Sequence, residues 1–145
     1  MISDQIKPSG QVTFILTDAN GKVKQTQKAN LVVDAGKDFL ASALLNSSTS
    51  PFTHMALGTG TTAAAATDTT LHTELTRIAF TSHSVTTNVA SMSTTYGAGV
   101  GTGAITEAGI FNAATAGTML SRVVFSVINK ASTDTLTINW SVTIN

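Results

Sequence analysis

Glu74 and Glu107 come closest to a catalytic pair in this chain. Glycoside hydrolysis places two carboxyl groups on either side of the scissile bond, one as acid and one as base or nucleophile. Glu74 stands three residues before Arg77, however, a spacing that makes a structural i,i+3 ion pair. Glu107 interrupts an apolar stretch and can meet Arg122 across neighbouring strands. A buried Glu107–Arg122 pair would fix the register of those strands, and that reading outweighs acid–base work.

The other reactive residue types are no better placed. His54, His72 and His83 lack the close spacing of a helical zinc motif, and cysteine is absent, so no thiolate can complete a site. One histidine from each of three chains at a trimer axis is the metal arrangement left open, beside the plain reading of polar histidines at strand starts and loops. Gly58-Thr59-Gly60 and the run Gly97, Gly99, Gly101, Gly103 lack the lysine and following helix of a phosphate loop. They read as loops or bulges in a sheet. Serine is plentiful but never stands in a Gly-x-Ser-x-Gly elbow. The expectation is a protein without enzymatic activity, metal or cofactor.

The elements that must hold these residues are strands. From Thr135 onward the chain alternates without a break: Leu136, Ile138, Trp140, Val142 and Ile144 point one way, Thr137, Asn139, Ser141 and Thr143 the other. A period of two marks a strand with one face in a core, so this end of the chain is expected to be built into a sheet. A strand is also predicted over residues 11–17, with Val12, Phe14 and Leu16 on one face. Asp18-Ala19-Asn20-Gly21 then supplies a hairpin turn. The return strand, residues 22–33, carries Lys22, Lys24 and Lys28, two of them on one face, as guards of an exposed edge or as contacts for an acidic partner.

Asp34 is read as the N-cap of a helix over residues 35–45, with Phe39, Leu40, Ala43 and Leu44 as a core-facing stripe. Residues 46–51 form a loop, and His54 to Leu57 a strand. Residues 61–70 are low in complexity and read as a surface loop, and residues 71–75 as one helical turn. A strand enters at Arg77, a Ser/Thr-rich meander covers residues 81–96, and β segments follow over 104–111, 118–128 and 135–144. The pattern predicts a mainly β, single-domain antiparallel sandwich or barrel-like fold with one short helix. Residues 1–9 form a flexible arm and residues 10–145 the domain.

Composition limits what such a domain can do. Charged residues are 11% of the 145 and the formal net charge is zero, against about 25% charged in an average protein. Near-zero charge favours association, and too few basic residues are present for a nucleic-acid surface. No basic, apolar leader opens the chain and no run of about 18 apolar residues could cross a membrane as a helix. The chain is expected to be made in a cytoplasm and to stay soluble until it meets partners, which include neither nucleic acid nor membrane.

Three stretches read together carry a resemblance. They are residues 30–42 (NLVVDAGKDFLAS), residues 54–77 with Ala56-Leu57-Gly58-Thr59-Gly60-Thr61-Thr62 and Thr73-Glu74-Leu75-Thr76-Arg77, and Ile105-Thr106-Glu107-Ala108-Gly109-Ile110-Phe111-Asn112 continuing through Arg122 to Trp140. These phrases resemble small virion structural proteins of tailed bacteriophages, and also segments of phage tail and collar fibres. The resemblance covers most of the chain after residue 30. It implies a virion component assembled in a bacterial cytoplasm, with the major capsid protein or other virion proteins as partners. The compact domain lacks the heptads or β-helix repeats of a long fibre, which favours a decoration (cement) protein on the head exterior. The alternatives are a tail, neck or collar component, and a host-surface glycan-binding module for which only Tyr96 and Phe52 look free. A homo-oligomer is expected, a trimer before others. Lys22, Lys24, Lys28, Thr61, Thr62 and Asp68 are the candidate partner contacts.

Overall fold

The computed structural model describes residues 7–46 and 49–145. These residues form four hairpins in succession. β1 (Pro8–Thr17) pairs with β2 (Val23–Val32), β3 (His54–Gly58) with β4 (Glu74–Ala79), β5 (Ser82–Thr86) with β6 (Val89–Tyr96), and β7 (Gly103–Phe111) with β8 (Met119–Lys130). The last strand, β9 (Thr135–Ile144), lies between β1 and β6. All pairings are antiparallel, in the order β4-β3-β7-β8-β2-β1-β9-β6-β5, and the sheet curls on itself into a half-barrel.

The period-two pattern of β9 explains its central place. Leu136, Ile138, Trp140 and Val142 are buried in the main core, where Phe14, Tyr96, Met55, Leu57, Ile105 and Ile110 meet them from both halves of the sheet. Trp140 is 1% exposed, and a ring so enclosed is worth about 3–5 kcal/mol against alanine. Tyr96, expected to be free, is fully buried and donates its hydroxyl to the Met55 carbonyl at 2.7 Å. Phe52 is half-buried and packs in a tilted contact against Phe39, at 4.6 Å between centroids.

Several boundaries differ from expectation. Pro8 and Ser9 belong to β1, paired with Ile144 and Thr143, and Lys7 exchanges two backbone hydrogen bonds with Asn145. Residues 1–6 of the predicted arm lie outside the described residues, as do 47 and 48 of the predicted loop. The first turn is a five-residue loop organised by Asp18, whose carboxylate accepts the backbone N–H of Asn20 and Lys22. Gly21 is left-handed there, at φ +81°.

Helix α1 (Asp34–Ala43) is capped by Val33, not Asp34. Asp34 is the first helical residue and its carboxylate receives Lys37. The helix lies close against β8 because position 36 is glycine: a Cβ there would stand 2.3 Å from the Leu120 carbonyl oxygen. Its apolar stripe is only partly covered, since Leu40 packs on the core while Leu44 is 80% exposed. Residues 71–73 make no helical turn; they bend into β4, which starts at Glu74. The Ser/Thr-rich stretch resolves into the β5–β6 hairpin because Met92, Thr94 and Tyr96 alternate inward.

Candidate functional site

The sheet half made of β4, β3, β7 and β8 is covered on both sides. One side faces the main core. The other carries Ala56, Phe111 and Met119, which pack with Val33 and Leu71 under the loop of residues 59–73. A loop over a sheet must satisfy its own backbone polar groups, and Glu107 is the residue that does so.

Glu107 is fully buried on β7. Its Oε1 accepts the backbone N–H of Gly60 at 3.0 Å and of Thr73 at 2.7 Å. Its Oε2 accepts the N–H of His72 at 3.0 Å and Nε of Arg122 at 2.9 Å. Arg122, on β8 opposite Gly109, is also fully buried. Its Nη1 donates to Asp68 Oδ2 and its Nη2 to the Thr62 carbonyl, each at 2.9 Å. Thr106 Oγ1 donates to the Gly60 carbonyl. One carboxylate and one guanidinium thereby hold both ends and the middle of the loop.

The glycines of this loop follow from that geometry. A Cβ at Gly60 would lie 2.5 Å from Glu107 Oε1, and one at Gly58 would lie 2.4 Å from the Thr73 carbonyl oxygen. Gly58 also sits where the β3–β4 register shifts. Gly58-Thr59-Gly60 is a bulge that makes room for a carboxylate.

Burial alone would raise the Glu107 carboxyl above its ordinary range. The backbone N–H groups of Thr73 and His72, the Arg122 guanidinium and the Gly60 N–H outweigh it, and the group is held below that range. Asp68 is likewise held low against its burial, by the Ala65 N–H, His72 and Arg122. A carboxylate so held stays ionised and offers no proton, and its four acceptor positions are all filled. The arrangement is a clasp, built to fix a loop.

The sequence-selected residues divide between this clasp and two other places. Asp68, expected to be a partner contact, is turned inward; its side chain is 10% exposed and is bound by Arg122 and by His72 Nε2 at 3.2 Å. Thr61 and Thr62 are exposed on the loop crest. Lys24 and Lys28 share one face of β2, opposite Leu16 and Val12, and Lys22 precedes the strand. The Glu74–Arg77 pair is present, at 2.6 Å, but on a strand. Arg77 also covers the Phe111 ring at 3.6 Å and donates to the Ala113 and Ala116 carbonyls. His54 bonds Thr53, and His83 lies near Phe80. Among the described residues no three His, Asp or Glu side chains converge as metal ligands would.

No protein-family model, curated protein or solved structure matches the chain.

The outward-facing residues of five strands assemble into one surface. The outer face of β2-β1-β9-β6-β5 carries Gln25, Gln11, Thr13, Thr137, Asn139, Ser141, Ser91, Ser93, Ser82 and Ser84 side by side. Ser93 donates to Asn139 at 2.8 Å, and the Thr95 and Thr137 hydroxyls meet at 3.1 Å. Among the described residues of these strands, no charged side chain stands on that face. The outward half of each alternation was its sequence signal; the missing step was knowing that these five strands are neighbours.

Proposed function

We propose that the chain is a structural protein of a tailed-phage virion, a decoration protein that binds the outside of the head and stabilises it. The observation that carries this reading is the uncharged outer face of the β2-β1-β9-β6-β5 half. Solvated strands ordinarily spread lysine and glutamate over such a face to stay monomeric. Hydroxyls and amides in rows suit burial against another protein, where they exchange water for hydrogen bonds without the desolvation cost of charge. The clasp under residues 59–73 supports the same reading, since it spends the buried acids on rigidity. The phrases that resemble virion proteins are also those that build it: Gly58 to Thr62, Thr73 to Arg77, and Ile105 to Phe111 with Arg122. Against a glycan-binding role stand the burial of Tyr96 and Trp140 and the pairing of Phe52 with Phe39.

A cement adds contacts across capsomer joints, so its binding free energy becomes resistance to opening, as for any ligand of a closed state. With no charge on the face, attachment should change little with salt. The test is to add recombinant protein to heads that lack it and heat them. The reading expects rebinding and a higher rupture temperature, both lost when Thr137→Lys and Asn139→Lys put charge on the face of a still folded protein. Failure to bind heads, with binding to tails instead, would transfer the assignment to a tail or collar component.

A further inference from the structure

The two halves of the sheet share a core but are joined by little strand pairing. β2 touches β8 through Leu31↔Arg122 and Val32↔Ser121, and no pairing continues between residues 23–30 and residues 123–130. The cause lies in β8: Glu107 pairs with Val124 but Ile105 with Ile128, so β8 carries extra residues and bulges between them. Phe125 in that bulge turns in against Phe14, at 4.1 Å between ring centroids. The strands splay around a cleft of about 410 Å³ lined by Phe14, Leu16, Phe125, Lys24, Thr26 and Lys28, among others.

Both walls of this cleft are strand edges that carry unpaired backbone donors and acceptors, and such edges accept an added strand. The floor is aromatic and aliphatic, and the charges on the wall are positive. An occupant that fits is extended and alternates apolar residues with a carboxylate on one face. Residues 1–6 of this chain have that pattern: Ile2, Asp4 and Ile6 fall at alternate positions, and Asp4 is their only charged side chain. Extended, six residues span about 20 Å, close to the length of the unpaired edge.

We propose that residues 1–6 of a second copy insert between β2 and β8, with Asp4 between Lys24 and Lys28 and with Ile2 and Ile6 over Phe14, Leu16 and Phe125. The segment comes from another copy because Lys7 is tied to Asn145, on the far side of β1 from the cleft. Lys28 is level with Val12, five residues along β1 from Lys7, and the segment would have to reverse its direction at once to enter as a strand. Exchange of this kind is head-to-tail and closes into a ring when the rotation allows, so a cyclic oligomer results. The proposal is independent of the virion reading, because it concerns the isolated protein.

The experiment is sedimentation velocity on the full chain and three full-length variants: Asp4→Lys, the double Lys24→Glu/Lys28→Glu, and their combination. The wild type should form one closed oligomer at micromolar concentration. Either charge change alone should weaken association by roughly tenfold or more, and the combination should restore most of it. Unchanged melting temperatures in the singles, expected because both lysines are exposed, separate lost docking from lost folding. A monomeric wild type, or single variants that associate as the wild type does, would overturn the proposal. So would a combination that stays as weak as the singles.

Discussion

Replacing Glu107 by glutamine keeps the shape of the side chain and removes its charge. The carboxylate accepts four hydrogen bonds, two at each oxygen. Glutamine offers one acceptor oxygen, and in either orientation its amide N–H₂ faces two donors. If the oxygen keeps Gly60 and Thr73, the amide confronts His72 N–H and Arg122 Nε. A lost neutral bond costs about 1 kcal/mol and a lost charged one about 1.5–3. Breaking a buried pair costs about 3–5 kcal/mol in all. Arg122 retains Asp68 as counter-charge, which places the loss at the lower end, about 3 kcal/mol. At about 2–4 °C per kcal/mol for a chain near 150 residues, the melting temperature falls by roughly 6–12 °C. Calorimetry at pH 7 measures that shift, and hydrogen exchange at Gly60, His72 and Thr73 locates it. A melting temperature within a degree of wild type, with those three amides still protected, would refute the clasp.

Three further outcomes follow from the same geometry. Arg122→Met should destabilise more than Glu107→Gln, because it strands both Glu107 and Asp68; equilibrium unfolding in urea ranks the two. Gly60→Ala should open the loop and speed its proteolysis at residues 61–70, since its Cβ needs space that Glu107 Oε1 occupies; resistance equal to wild type would contradict this. Glu107 and Asp68 both have folded values below their ordinary 4.5 and 3.8, so folding favours their ionised forms. Their contribution is present above those ordinary values and is lost as pH falls through the lower folded ones. Stability should therefore drop in acid with accelerated exchange in residues 59–73, and Glu107→Gln should flatten that drop.

The strands were legible because their alternation is strict: β9 and β1 could be read from Trp140, Ile138, Val12 and Phe14 alone. The helix was legible as an element but not in its cap, since Asp34 is an excellent N-cap type and the backbone instead turns helical at that residue. Glu107 and Arg122 could be paired on paper because a lone glutamate in an apolar strand must find a cation. The loop amides that complete the clasp could not, since backbone groups carry no residue-type signal. The inward turn of Asp68 was not legible for a related reason: in a polar, low-complexity stretch nothing distinguishes the one carboxylate that turns inward. The cleft between β2 and β8 was invisible because it depends on a bulge opposite Thr106 and on strands that pair across about 90 residues of sequence.

Under the proposed virion assignment a phage would encode the chain, and antibody labelling of that phage's purified particles, viewed in negative stain, tests the proposal most directly. The account predicts label distributed over the heads, with none on the tails. Label confined to the tail or collar, or particles that carry no label at all, would contradict it.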